Sequence, residues 1–88
     1  MKTRRLKMPV DGRLFTGTAV EILTQMRSLA FGWDTRSLGD YLLWLKAQME
    51  QQTNVEIELP AGDEAAACEA LVDAMVAHGL ALEIVSGG

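Results

Sequence analysis

The chain has 88 residues, of which 49% are hydrophobic and 23% are charged, and its formal net charge at pH 7 is −4. This length allows one domain with a small core, and the composition is typical of a folded globular protein, which excludes a disordered chain. We therefore expect a single domain over residues 1–88, with loose ends at 1–3 and 86–88.

Positive and negative charges are separated along the sequence. All eight Lys and Arg residues lie within 1–46, together with four carboxylates, whereas 47–88 contains eight carboxylates and neither Lys nor Arg. The first segment therefore has a formal charge of +4 and the second of −8. Such an asymmetry bears on partners and solubility rather than on the fold.

The cysteine content and the N-terminus indicate a cytoplasmic protein without membrane contact. Cys68 is the single cysteine, so no internal disulfide favours an oxidising compartment. Lys7, Pro9 and Asp11 interrupt the N-terminal region, which leaves no apolar run of the ~7–15 residues that a signal peptide needs. No apolar run approaches the ~18–20 residues of a membrane-spanning helix.

The first predicted elements are two antiparallel strands at 4–10 and 13–16. Asp11 and Gly12 lie between them and are typical of a two-residue type I′ turn, because both residues accept positive φ. Pro9 has no N–H to donate, which places it at a sheet edge or facing away from the partner strand. A single longer strand that bends at Asp11 and Gly12 is the alternative.

A first helix is predicted to begin at Thr18. Thr18 and Glu21 form the capping-box pattern, in which each side chain accepts from the other residue's backbone N–H. Apolar residues then recur at helical spacing as far as Ala30. Gly32 supplies a left-handed stop.

Ser37 is predicted to begin a second helix that is wider in its apolar surface than one core requires. Its apolar stripe consists of Leu38, Tyr41, Leu42, Leu45 and Met49. At ~100° per residue, Leu43 and Trp44 fall on opposite flanks of that stripe. One flank is therefore expected to face solvent or another chain.

The C-terminal half predicts strand, helix and strand. Val55, Ile57 and Leu59 alternate with acidic residues, which indicates a half-buried strand at 55–59. A third helix follows at 64–78, and Leu80, Leu82 and Ile84 alternate with Ala81 and Glu83 in a last strand. A strand, crossover helix and strand favour a right-handed parallel βαβ unit. The order is then ββααβαβ in an α+β fold, with a mixed sheet covered by helices on one face.

No motif in the sequence specifies a chemistry. Cys68 lies beside Leu71, Val72 and Met75 on the helical wheel, so we expect a buried thiol with a raised pKa. His78, the single histidine, is expected to cap the end of the third helix. The remaining carboxylates are typical of solvated faces. We therefore predict neither catalytic residues, nor a cofactor, nor a metal site, and we do not expect an enzyme.

The basic residues of the hairpin form one candidate contact for an anion. They are Arg4, Arg5, Lys7 and Arg13, with Lys2 nearby. A basic two-stranded ribbon can contact nucleic acid, although a domain of net charge −4 repels a polyanion unless its acidic half faces away. A solvated edge strand and a contact with an acidic protein surface are the other interpretations.

Aromatic residues concentrate at the junction of the first two helices. They are Phe31, Trp33, Tyr41 and Trp44, and most of them are expected in the core. Trp and Tyr also anchor protein interfaces, so we predict an interface at Leu43, Trp44 and Trp33. The leading hypothesis is a non-catalytic, self-associating interaction or regulatory module, and the alternative is a nucleic-acid-binding regulator that uses the basic hairpin.

Overall fold

The computed structural model describes residues 3–30, 32, 36–60 and 62–84. Within them the chain forms β1 (Arg4–Lys7), β2 (Leu14–Gly17), α1 (Ala19–Leu29), α2 (Leu38–Thr53), α3 (Glu64–Ala77) and β3 (Leu82–Glu83). The predicted α+β class is confirmed, and the order of elements matches the prediction except for one strand. Of the ends expected to be loose, 1–2 and 86–88 lie outside the described residues.

The predicted hairpin forms, but its turn is longer than predicted. β1 and β2 are antiparallel, with Leu6 opposite Phe15. The Met8 N–H donates to the Arg13 carbonyl at 2.9 Å, which leaves residues 9–12 as the loop. Gly12 has a φ of +73°, whereas Asp11 does not have a positive φ. The prediction of a type I′ turn is therefore wrong. Within the loop, the Asp11 carboxylate accepts from the Arg13 N–H at 3.0 Å.

The predicted parallel βαβ unit and mixed sheet are wrong. β3 pairs antiparallel with β1, and the described sheet has the order β2-β1-β3. Residues 55–59 are not a strand, although Ile57 is buried and its neighbours Glu56 and Glu58 are exposed. The Ile57 N–H donates to the Glu50 carboxylate at 2.8 Å. This segment is therefore attached to α2 through a side-chain contact and packs through the buried Ile57 rather than through strand pairing.

Local capping positions the helices where the sequence predicts them. The Thr18 hydroxyl accepts from the Glu21 N–H at 3.2 Å, and the Glu21 carboxylate accepts from the Thr18 N–H at 3.0 Å. The Thr18 backbone N–H and, to a lesser extent, the Thr18 side chain lower the pKa of the Glu21 carboxyl group. The Ser37 hydroxyl accepts from the Asp40 N–H at 3.1 Å to begin α2. α3 ends at Ala77, and His78 occupies the C-cap position as predicted.

The helices cover one face of the sheet, as predicted. Leu6 and Phe15 point from the sheet into a core shared with all three helices. The largest fully buried side chains are Leu6, Ile22, Leu23, Leu71, Met75, Val72 and Cys68. Side chains on the opposite face of the same strands are exposed. The sheet therefore has an inner face, against the helices, and an outer face.

Candidate interaction surfaces

Arg4 projects from β1 into the inner face, where it is 5% exposed. Its Nε and Nη2 donate to the two carboxylate oxygens of Glu83 at 2.8 and 2.9 Å. Its Nη1 lies 2.9 Å from Glu69 Oε2 and 2.7 Å from Asp73 Oδ1, both on α3. Such bidentate, charge-assisted contacts are the strong class of hydrogen bond. One buried guanidinium therefore joins β1, β3 and α3.

This cluster removes Arg4 from the set of residues able to contact an external anion. The hydrogen bonds that Arg4 donates to Glu83 raise the pKa of the guanidinium, against the opposing effect of burial, and Asp73 raises it further. Arg4 is held as a cation by carboxylates of the same chain. The attraction between the basic and acidic halves of the sequence thus acts inside the fold at this residue.

The outer sheet face presents the other two basic residues of β1. We define this face as Arg5, Lys7, Leu14, Thr16, Leu82 and Ile84. Lys7 lies between Leu14 on β2 and Leu82 on β3. Arg5 lies opposite Thr16, and its carbonyl accepts from the Ile84 N–H at 2.9 Å. Leu14, Leu82 and Ile84 are 60%, 54% and 40% exposed, so aliphatic side chains flank the two cations.

Sequence reasoning predicted the cations of this face but not its aliphatic residues. Leu82 and Ile84 form the apolar set of the last strand in sequence, yet in the structure Ala81 is buried and Leu82 is exposed. The register explains the inversion, because Glu83 lies opposite Leu6 and therefore faces inward toward Arg4. The pattern Arg4-x-Leu6 was the available signal, since residues two apart on a strand share a face.

Arg13, the remaining predicted anion contact, lies at the hairpin loop. Its side chain is half-exposed, and its Nε is 3.7 Å from the Asp11 carboxylate. At this distance and exposure the pair contributes little free energy. Arg13 alternates with Leu14 along the chain and so does not belong to the outer sheet face.

The outward side of α2 presents both Leu43 and Trp44, whereas the sequence pattern predicted that one flank would face solvent or another chain. They are 65% and 39% exposed, and Ala47, one turn on, is also exposed. We call these three residues the α2 ridge. The Trp44 ring lies 5.7 Å from the buried Tyr41 ring, centroid to centroid, at an interplanar angle of 30°. Trp33, the third predicted interface residue, lies outside the described residues.

An open groove of about 480 Å³ borders the α2 ridge. Leu43 lines it together with Leu42, Leu59 and Pro60, and with Asp63 and Glu64 at the start of α3. The groove therefore combines apolar and acidic side chains. This arrangement can accept an aliphatic or aromatic side chain from a second molecule.

The described residues contain one buried thiol and no group of side chains able to hold a metal ion. Cys68 is fully buried, and burial raises the pKa of its thiol to about 11, with Glu64 and Glu69 adding to the effect. The prediction of a shielded thiol is confirmed. The described residues contain no cluster of three or more His, Cys, Asp or Glu side chains able to hold a metal ion. No described helix combines the length and apolar character needed to cross a bilayer.

Comparison of the chain with protein-family models, with curated proteins and with solved structures finds no match.

Proposed function

We propose that this chain is a non-catalytic protein-interaction module that self-associates through the α2 ridge. The observation that carries the proposal is the adjacent exposure of Leu43 and Trp44 on the outward side of a helix that buries Tyr41, Leu42 and Met49. A patch of large exposed apolar side chains marks an interaction site more often than a single exposed apolar side chain does.

The geometry around Trp44 favours binding because part of the ordering cost is already met in the free protein. Tyr41 is buried and its ring packs against the Trp44 ring, so the indole has a fixed neighbour that restricts its motion. A rigid aromatic side chain loses little conformational entropy when it binds. In a two-fold dimer the same ridge and groove of each copy would face one another, as an isologous interface requires.

A second candidate function is contact with nucleic acid through Arg5 and Lys7. It is favoured by the absence of an ion pair at either residue within the part of the chain that the structure describes. It is opposed by the net charge of −4 and by the aliphatic residues beside both cations. We rank it second because phosphate contacts gain nothing from neighbouring leucines.

Light scattering of the purified chain at increasing micromolar concentration tests self-association. We expect a dimer or larger assembly for the natural sequence, and a shift of at least about tenfold in dissociation constant for Trp44→Glu, because an interface aromatic contributes more than ~1.4 kcal/mol. Leu43→Glu should act in the same direction. Gln52→Glu is the matched control, since it adds the same charge to an exposed position of α2 away from the ridge.

Circular dichroism and urea unfolding of each variant separate loss of the interface from loss of the fold. A natural chain that stays monomeric at high concentration would refute the proposal. So would a Gln52→Glu variant that dissociates as far as Trp44→Glu.

A further inference from the structure

We propose that the outer sheet face is a docking site for an acidic amphipathic helix of another protein. This goes beyond self-association, because it uses the opposite side of the sheet from the helices and shares no residue with the α2 ridge. The inference depends on the chemistry of the face, its dimensions and a comparison with the inner face of the same strand.

The outer sheet face combines apolar area with uncompensated positive charge. Leu14, Leu82 and Ile84 are substantially exposed, and Arg5 and Lys7 lie between them on the central strand. Glu83, which lies between Leu82 and Ile84 in the sequence, faces inward instead. The described residues of this face include no acidic side chain, so a partner with carboxylates beside apolar side chains is the complementary surface.

The inner face shows in the same molecule what covers such a strand. There, α3 packs Leu71, Val72 and Met75 into the core while its Glu69 and Asp73, four residues apart, reach Arg4. Two carboxylates of one helix, together with Glu83 of β3, therefore already bind one arginine of β1. Arg5, the next residue, also carries a guanidinium, but it lies on the outer face, where no described helix covers it.

The dimensions of the outer face also suit one helix. Three strands spaced ~4.8 Å apart span about 10 Å, which equals the diameter of an α-helix with its side chains. Arg5 and Lys7 are two residues apart on one strand, about 6.7 Å along it, and residues four apart on a helix are separated by about 6 Å. One pair of carboxylates on a docked helix can thus contact both cations at once.

Nucleic acid and a second copy of the chain fit this face less well. Phosphates would leave three aliphatic side chains without an apolar partner, and the net charge of −4 opposes approach to a polyanion. The most acidic helix of a second copy is α3, and its Glu69 and Asp73 are already bound to Arg4. The test therefore also detects binding of DNA and of a second copy at this face.

The test is a titration of the isotope-labelled chain, followed by amide chemical shifts. The probe is a designed 18-residue helical peptide with leucines on one face and two pairs of glutamates spaced four residues apart beside them. We expect shifts concentrated in β1, β2 and β3, and at least about tenfold weaker binding by the double variant Arg5→Glu with Lys7→Glu. Arg13→Glu is the matched control, because it reverses an exposed charge off the face.

Two altered probes separate the contributions of charge and apolar contact. The same peptide with glutamine for glutamate should bind at least about tenfold more weakly, and so should a scrambled sequence of the original composition. Leu43→Glu should leave peptide binding unchanged, so failure of self-association and failure of docking are distinguishable.

Several results would overturn the docking proposal. The first is an absence of shifts at about millimolar peptide, the concentration that detects even weak binding. The second is equal binding of the glutamine or scrambled peptide. A DNA duplex that shifts the same amides more strongly would assign the face to nucleic acid. Outer-face shifts that follow protein concentration alone would assign it to a second copy.

Discussion

Arg4 and Arg5 are neighbours in sequence and opposites in environment. Arg4 is buried and contacts three carboxylates, whereas Arg5 is exposed and makes no ion pair within the described part of the chain. The alternation of a β-strand is enough to produce this difference, because successive side chains point to opposite faces. The same residue type is therefore a structural cation on one face and an available cation on the other.

The comparison explains how the chain uses its uneven charge. Two of the eight carboxylates in 47–88 reach Arg4 from α3 and a third from β3. Arg4 thus links the first strand to the C-terminal third of the sequence, over sequence separations of 65 and 79 residues. The other two cations of β1, Arg5 and Lys7, lie on the outer face.

The largest expected effect contrasts the apolar residues of the two faces. Leu6→Ala should lower the free energy of unfolding by about 3 kcal/mol, because Leu6 is fully buried and its truncation leaves a cavity. Leu14→Ala, on the outer face, should cost less than about 0.5 kcal/mol. Urea unfolding of both variants measures the difference. Equal costs would mean that the outer face is not exposed in solution.

The next contrast is between the two arginines. Arg4→Ala should cost about 2–3 kcal/mol, since it leaves three carboxylates close together without their cation. This is below the range for a fully buried pair because Glu69 and Asp73 can regain solvent. Arg5→Ala should change stability by less than about 0.5 kcal/mol. If both substitutions cost the same in urea unfolding, the distinction between the faces is wrong.

Local features of the structure were predictable from the sequence. The starts of α1 and α2 follow from Thr18 and Ser37, because capping depends on residues only three apart. The hairpin and the exposure of Leu43 and Trp44 follow from short patterns of the same kind. Cys68 was also predictable, because its helical neighbours are apolar.

Features that depend on competition between distant segments were not predictable. Residues 55–59 have a strand pattern, but Glu50 accepts the Ile57 N–H and the segment joins neither edge of the described sheet. The position of Glu83 depends on the register with Leu6, which no local pattern specifies. The burial of Arg4 was predictable in part, since Arg4 and Leu6 share a strand face. The carboxylates that contact Arg4 were not, because they lie far along the chain.

Cys68 is an ionisable side chain that the fold buries without an oppositely charged partner among the described residues. Its pKa rises from 9.0 to about 11, so the folded state holds the thiol proton more tightly than the unfolded state. Its contribution to stability is complete below pH 9.0 and is lost as pH rises toward about 11. Cys68→Ala should cost about 1 kcal/mol at neutral pH and should reduce this alkaline loss.

Urea unfolding between neutral pH and pH 11, with and without the substitution, measures the alkaline effect. The native thiol should also react slowly with a soluble disulfide reagent and quickly after denaturation. Rapid labelling of the native chain would contradict the buried position of Cys68.

The smallest expected effect distinguishes the partners of Arg4 from one another. The Asp73 side chain is 66% exposed and shares Nη1 with Glu69, whereas the Glu83 side chain is 24% exposed and binds Nε and Nη2 together. Asp73→Asn should therefore cost less than about 0.5 kcal/mol, because Glu69 still accepts from Nη1 and an exposed pair is screened by water. Glu83→Gln should cost about 1 kcal/mol, since the amide NH₂ replaces one of two acceptors. Urea unfolding of both variants at low and high salt gives the ranking, and a larger loss for Asp73→Asn would place the main anchor of Arg4 on α3 rather than on β3.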